Sequence, residues 1–140
     1  MSVTAYAFTP ETASAAQRGI TPRQVAAGLR AVFRIMEAWS VDNQDARVLL
    51  GQPSRSTFFA WKKGVVRTVP HDTLRRVSYV LGIYKILQIL FKRPVQADAW
   101  IRKDNAAFGG KSALERMLGG DVNDLAAVRA YLEAIRGQGA

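Results

Sequence analysis

The chain has 140 residues, which is enough for one domain or two small ones. It contains no cysteine, so disulfides, thiol catalysis and cysteine-based metal sites are excluded, and its longest apolar run, Tyr79–Phe91, is too short to span a membrane. The formal net charge is +9, yet residues 105–140 hold four basic and four acidic residues, so the positive excess lies in residues 1–104.

The first predicted helix begins at Thr21. Residues 1–20 before it are rich in Ala, Thr and Ser without sustained periodicity, so we expect a flexible N-terminal tail. Thr21 suits the N-cap, Pro22 suits the first helical position, and Gln24 can complete a capping box. One apolar stripe follows at helical spacing: Val25, Leu29, Val32, Met36 and Trp39.

Two short helices are predicted next, joined by a tight turn. The first runs from Asp42 to Gly51 with Arg47 facing outward, and its core-facing residues are Ala46, Leu49 and Leu50. Gly51 permits positive φ and Pro53 cannot continue a helix, so Gly51-Gln52-Pro53 forms the turn. Ser54 then caps the second short helix.

The second short helix has two faces. Phe58 and Trp61 lie within about 60° of each other on a helix, so they face inward. Ser56, Ala60 and Lys63 lie on the opposite face, with Phe59 at its edge. This pair of helices is typical of a helix-turn-helix that binds the DNA major groove. The positive excess favours the same conclusion, although a basic surface that only confers solubility is the alternative.

The predicted DNA contacts come from this second short helix and the loop after it. The side chains expected to reach the duplex are Arg55, Ser56, Thr57, Phe59, Lys62, Lys63 and Arg67. We expect Ser56 and Thr57 to read base edges and Phe59 to contact a thymine methyl group. The two lysines and Arg67 are expected to meet phosphates.

A long helix is predicted from Asp72, which is expected to act as N-cap, to the Lys92-Arg93-Pro94 segment. Its first half is apolar on one side, and its second half is apolar almost all round. A helix of that kind is covered on every side, either by a second subunit or by its own chain. The sequence leaves these two alternatives open.

The remaining elements are short. Residues 98–102 are predicted to form a turn and residues 105–111 a loop, while Ser112 and Glu115 form the capping box of a helix that Gly119-Gly120 ends. The last helix carries the stripe Leu125, Val128, Leu132 and Ile135. No strand-like alternation occurs, so we predict an all-α fold: a helix-turn-helix N-terminal half, a long central helix and a small helical C-terminal region.

The sequence offers little for catalysis. His71 is the only histidine, and we interpret it with Asp72 as part of a helix start. Gly109-Gly110-Lys111-Ser112 lacks the first glycine of a phosphate-binding loop, and no strand precedes it. We therefore expect no enzymatic activity, no metal and no cofactor.

The C-terminal part carries a recognisable combination of motifs. They are Trp100-Ile101-Arg102, Asn105, Phe108 to Glu115, Gly119-Gly120-Asp121 and Val128 to Leu132. With the helix-turn-helix and residues 79–84, this combination resembles the Xre/MbcA/ParS-type antitoxins over about residues 21–136. Two features depart from the family pattern: Ala106 and Ala113 stand where proline is frequent, and the turn at Gly51 is about one residue longer than usual.

The resemblance implies an antitoxin encoded beside a RES-domain toxin, an ADP-ribosyltransferase-like enzyme that consumes NAD. The antitoxin covers the NAD pocket with its C-terminal region, and the complex represses its own operon. It also implies three segments: a tail (1–20), a DNA-binding and dimerisation region (21–93) and a toxin-binding region (94–140).

On this resemblance we expect toxin contacts from six residues and the chain end that follows them. They are Phe108, Lys111, Arg129, Arg136, Gly137 and Gln138. Arg136 is the candidate for an NAD phosphate or carboxylate subsite, because a guanidinium pairs bidentately with anions. The alternative is that Arg129 and Arg136 only stabilise the ends of a helix dipole.

The expected partners are the toxin and double-stranded operator DNA, bound by a homodimer within a toxin–antitoxin hetero-oligomer. No secretory signal is visible, so a cytoplasmic location without membrane contact is expected. Two alternatives remain: a stand-alone dimeric helix-turn-helix transcriptional regulator, and a scaffold subunit without DNA affinity.

Overall fold

The structure is a computed structural model that describes residues 20–139, so nearly all of the predicted tail lies outside the described residues. Seven α-helices and one 3-10 helix form within this range, without any strand. The α-helices are α1 (Pro22–Ala38), α2 (Asn43–Leu49), α3 (Arg55–Lys62), α4 (His71–Leu90), α5 (Pro94–Trp100), α6 (Ala113–Met117) and α7 (Val122–Gly139). The predicted all-α class is confirmed.

Local sequence signals account well for α1. Its capping box forms as predicted, since the Gln24 N–H donates to the Thr21 hydroxyl and the Thr21 N–H donates to the Gln24 side chain. Leu29, Val32 and Met36 of the predicted stripe are buried, and Trp39 is buried just after the helix. The helix therefore presents one apolar face to the core and leaves its basic side chains on the other.

The long helix α4 is the centre of the fold and packs against α1, α5 and α7. Val77, Val80, Ile83 and Leu87 are completely buried. Of the two alternatives for its apolar surface, cover by its own chain holds along most of the helix. Ile89 is the exception, with 52% of its surface exposed near the end of α4, and Val95 of α5 is 78% exposed.

The predicted N-cap of α4 is wrong. The helix begins at His71, Pro70 holds the cap position, and no side chain caps the helix. The Asp72 carboxylate instead accepts from the Arg76 guanidinium at 2.7 Å, one turn along the same helix. The sequence pattern predicted that this carboxylate would accept from backbone N–H groups at the start of α4. It binds the buried Arg76 side chain instead.

The segment after α4 is more helical than predicted. Where a turn over residues 98–102 was expected, α5 already begins at Pro94, whose fixed φ suits the first helical position. The expected loop at 105–111 contains a 3-10 helix, Ala106–Phe108, capped by the Asn105 side chain. Such short helices bury too few residues to produce a visible period in sequence.

Helices α6 and α7 follow the predictions closely. The Ser112–Glu115 capping box forms, and Gly120 ends the segment with φ of 93°. Three residues of the predicted stripe of α7, Leu125, Val128 and Leu132, are completely buried, and the fourth, Ile135, is half-buried. Helix α7 packs most extensively on α4, so the C-terminal region shares one core with the N-terminal half.

Two arginines connect these two parts of the chain. Arg76, only 6% exposed, donates to the carbonyls of Val48 at the end of α2 and Gly120 before α7. Arg102 donates through Nε to the Trp39 carbonyl at 2.8 Å. Both cations lie in the stretch whose charge excess favoured a polyanionic partner, and both donate to carbonyls of the chain itself.

Candidate nucleic-acid and protein interfaces

The turn between α2 and α3 depends on two residues in the left-handed region. Gly51 has φ of 94°, as its predicted role requires, and Gln52 has φ of 59°, which the sequence did not indicate. The Gln52 N–H donates to the Arg47 carbonyl at 2.7 Å. Arg47 was predicted to face outward, which is wrong: its half-buried side chain donates to the Pro53 carbonyl at 3.0 Å and holds the turn closed.

Helix α3 is held in place by the two aromatic residues predicted to face inward. Phe58 is completely buried and Trp61 is 4% exposed. Phe58 meets Phe33 of α1 edge-on, with the ring centroids 5.5 Å apart. Because α3 has only eight residues, this anchoring fixes the direction of its opposite face.

The hydroxyl groups at the start of α3 differ in their availability. Ser54 caps the helix by accepting from the Thr57 N–H and donates to the Thr57 hydroxyl at 2.9 Å. Thr57 is half-buried, whereas Ser56 is exposed with its hydroxyl 3.3 Å from that of Ser54. Ser56 is therefore better placed than Thr57 to contact an external group.

The basic residues of α3 lie on its exposed surface. Arg55 lies over the Phe59 ring, 5.9 Å from the centroid, and Phe59 is half-buried against Phe58. The Lys62 ammonium donates to the Asn43 side chain at the start of α2 at 2.6 Å, and Lys63 is exposed. This helix thus presents a cationic surface next to a small polar one, which suits both phosphate and base contacts.

Arg67 is placed differently from the other predicted DNA contacts. It is exposed in the loop after α3 and lines a groove of about 310 Å³ with residues at the start of α1 and of α4, among them Pro22 and Leu74. The structure therefore does not gather Arg67 onto the surface of α3.

The predicted toxin contacts fall into two groups. Phe108 is 9% exposed, and its ring lies 5.2 Å from that of Tyr131, which stacks on Trp100. Arg129 is half-buried, 3.7 Å from the Glu133 carboxylate and over the Tyr79 ring. These two side chains hold the C-terminal region together.

The second group is accessible. Lys111 is exposed after two glycines with positive φ, and Gly137 and Gln138 are exposed at the end of α7. The Arg136 side chain is 47% exposed and lies 3.6 Å from the Glu133 carboxylate. The contacts of all six residues with a toxin stay predictions.

Two kinds of site do not occur in the described part of the chain. No group of three or more His, Cys, Asp or Glu residues is placed to hold a metal ion. None of the helices between residues 20 and 139 is long and apolar enough to cross a membrane.

Two family models match this chain. Residues 18–82 match the antitoxin Xre-like helix-turn-helix domain, and residues 87–137 match the antitoxin Xre/MbcA/ParS C-terminal toxin-binding domain. The uncharacterized protein y4oB of Sinorhizobium fredii (strain NBRC 101917 / NGR234) is 48% identical over 124 residues, which cover 86% of this chain and 95% of that protein. No solved structure matches the chain.

Proposed function

This chain belongs to the Xre/MbcA/ParS family of antitoxins, and we propose that its toxin is a RES-domain enzyme whose NAD pocket the C-terminal region covers. We also propose that the antitoxin represses its own operon through α3. The observation that carries this proposal is one core holding two separate accessible surfaces: the outer face of α3 and the end of α7.

The DNA-binding part of the proposal is supported by the orientation of α3. Phe58 and Trp61 fix the inner face, and Ser56 and Lys63 are exposed. A homodimer would place two such helices on an inverted repeat, with half-sites about 34 Å apart. The exposed apolar side chains Ile89 and Val95 at the α4–α5 junction are the candidate dimer contacts.

The toxin-binding part is supported by the difference between the two arginines of α7. Arg129 is committed to contacts inside the fold. Arg136 has only a partly exposed ion pair with Glu133, and such pairs contribute about 0–1 kcal/mol. The Arg136 guanidinium can therefore leave Glu133 and enter a phosphate or carboxylate subsite of the toxin with little loss of antitoxin stability.

The DNA arm is tested by salt titration of duplex binding with operator DNA from the promoter of this gene. Lys63→Ala should weaken binding evenly across sequences and reduce the slope of log affinity against log salt by about one. Ser56→Ala should instead lower the ratio of the affinity for operator duplex to the affinity for unrelated duplex. Lys103→Ala, an exposed charge removal in the C-terminal region, is the control. An unchanged slope for Lys63→Ala would reject its phosphate contact.

The toxin arm is tested by co-expression and co-purification with the neighbouring gene product. Removal of residues 136–140 should release toxin activity and leave duplex binding intact, because these residues follow the buried stripe of α7. Retained neutralisation would refute the role of the chain end. A neighbouring gene that does not inhibit growth when the antitoxin is absent would favour a stand-alone transcriptional regulator.

A further inference from the structure

A cationic groove lies between α1 and the C-terminal end of α3. It has a volume of about 360 Å³, with Phe33 and Trp61 among its lining residues. The charged residues that line it are Arg30, Arg34, Glu37, Lys62 and Lys63. Four cations and one carboxylate thus line the groove. Two of the cations, Arg30 and Arg34, belong to α1, which lies outside the α2–α3 pair predicted to bind DNA.

Three of the four groove cations are not used inside the fold, whereas the fourth, Lys62, donates to the Asn43 side chain. Within residues 20–139, no hydrogen bond or ion pair involves the side chains of Arg30, Arg34 or Lys63. This separates them from Arg47, which closes the turn, and from Arg76, which joins the two parts of the chain.

Their arrangement places more positive than negative charge along one groove. Arg30 and Arg34 are four residues apart on α1, and like charges at that spacing destabilise a helix by about 0.2–0.5 kcal/mol. The fold then brings Lys62 and Lys63 to the same groove. An anion bound between these side chains would convert the repulsion into attraction.

We infer that this groove binds backbone phosphates of the same duplex that α3 reads, an inference that rests on the proposed operator binding. A helix of about 10–12 Å diameter fills the major groove, which is about 12 Å wide, so the elements beside it meet the flanking phosphates. Lys63 directly follows α3 and also lines the groove, so the reading surface and the cationic surface are continuous. Arginine is well suited to the task because its guanidinium can bind a phosphate bidentately.

The inference adds Arg30 and Arg34 to the DNA contacts, in a positioning role without base specificity. Phosphate contacts fix the register of a protein on a duplex and carry no direct sequence information. Loss of either arginine should therefore weaken binding to operator and unrelated duplex equally.

The test uses the full-length chain and measures affinity for operator duplex over a range of salt concentrations. Arg30→Gln and Arg34→Gln should each lower affinity by about tenfold at 0.15 M salt and reduce the salt slope by about 0.9. Arg30→Lys and Arg34→Lys, which keep the charge, should retain the slope. Lys103→Gln removes an exposed charge that does not line the groove and should leave both quantities unchanged.

The outcomes separate this inference from the proposed function. If Ser56→Ala weakens operator binding while the arginine variants keep the wild-type slope, Arg30 and Arg34 do not contact phosphate and operator binding stands. If the wild-type chain binds duplex with no salt dependence, both proposals fail. If the arginine variants weaken toxin association alone, the groove serves an acidic protein surface and the inference is overturned. Both arginine side chains are exposed, so their replacement should leave the fold intact. A Tm of each arginine variant within about 2 °C of wild type would exclude a folding defect.

Discussion

Replacing Arg76 with alanine should destabilise the whole protein, because this one guanidinium joins three segments. It donates to the Val48 carbonyl at 3.2 Å, to the Gly120 carbonyl at 2.7 Å and to the Asp72 carboxylate at 2.7 Å. The Arg76 side chain is 7% exposed, so water does not readily replace it in the truncated variant. The end of α2 and the segment before α7 would both lose a hydrogen-bond donor.

The expected loss is about 3 kcal/mol. Each bond from the charged guanidinium to a partly buried carbonyl contributes about 1.5 kcal/mol, at the lower end of the range for charged groups. The ion pair adds less than about 1 kcal/mol, because the Asp72 side chain is 52% exposed and solvent screens it. For a domain of this size, about 3 kcal/mol corresponds to a fall in Tm of about 10 °C.

Thermal unfolding followed by far-UV circular dichroism measures this loss. Arg75→Ala is the matched control, because Arg75 is the adjacent arginine of α4 and its side chain has no hydrogen bond or ion pair within the described residues. Arg76→Lys should recover only part of the loss, since one ammonium cannot replace a planar guanidinium that reaches several acceptors. A Tm for Arg76→Ala within about 3 °C of that for Arg75→Ala would refute the reasoning.

Five further substitutions probe the local geometry. Gly51→Ala should lower the free energy of unfolding, measured in urea, by about 2 kcal/mol, and Gly64→Ala should lower it by about 1 kcal/mol. Both glycines have positive φ, but of the two only Gly51 would bring a Cβ to 3.0 Å from a carboxylate oxygen. Equal losses at the two glycines would show that the close contact does not matter. Ser112→Ala removes the hydroxyl of a capping box and should lower the free energy of unfolding by about 1 kcal/mol, and no change in urea would contradict the cap. Phe58→Ala should cost about 4 kcal/mol and abolish duplex binding, whereas Phe59→Ala, at a half-buried position, should cost less than half as much in the same urea titration.

Patterns confined to a few turns of chain determined the helices correctly. The capping boxes at Thr21 and Ser112 and the inward positions of Phe58 and Trp61 follow from residue types at fixed spacing. These features depend only on neighbours within about four residues, so no tertiary information is needed to predict them. The short helix α5 was missed because it has no side-chain cap and buries only Ala97, so it shows neither a capping motif nor an apolar stripe.

The likeness of the chain to a family of antitoxins was also readable from sequence, because its motifs are combinations of adjacent residues. The structure places the predicted contact residues in different environments. Phe108 and Arg129 belong to the interior packing of the C-terminal region, and Arg67 lies apart from α3, while Ser56 and Lys63 are exposed as expected. The roles of these residues toward DNA and toxin stay predictions.

The sequence by itself determined that the chain is helical, where α1, α3 and α6 begin and that its positive charge is concentrated before residue 105. Only the tertiary structure decided what each cation does. The Arg76 guanidinium donates to carbonyls at the end of α2 and just before α7, whereas the Arg30 and Arg34 side chains remain available beside α3. The physical reason is that a guanidinium bonds to whichever acceptors the folded chain leaves within reach, and segments far apart in sequence supply those acceptors.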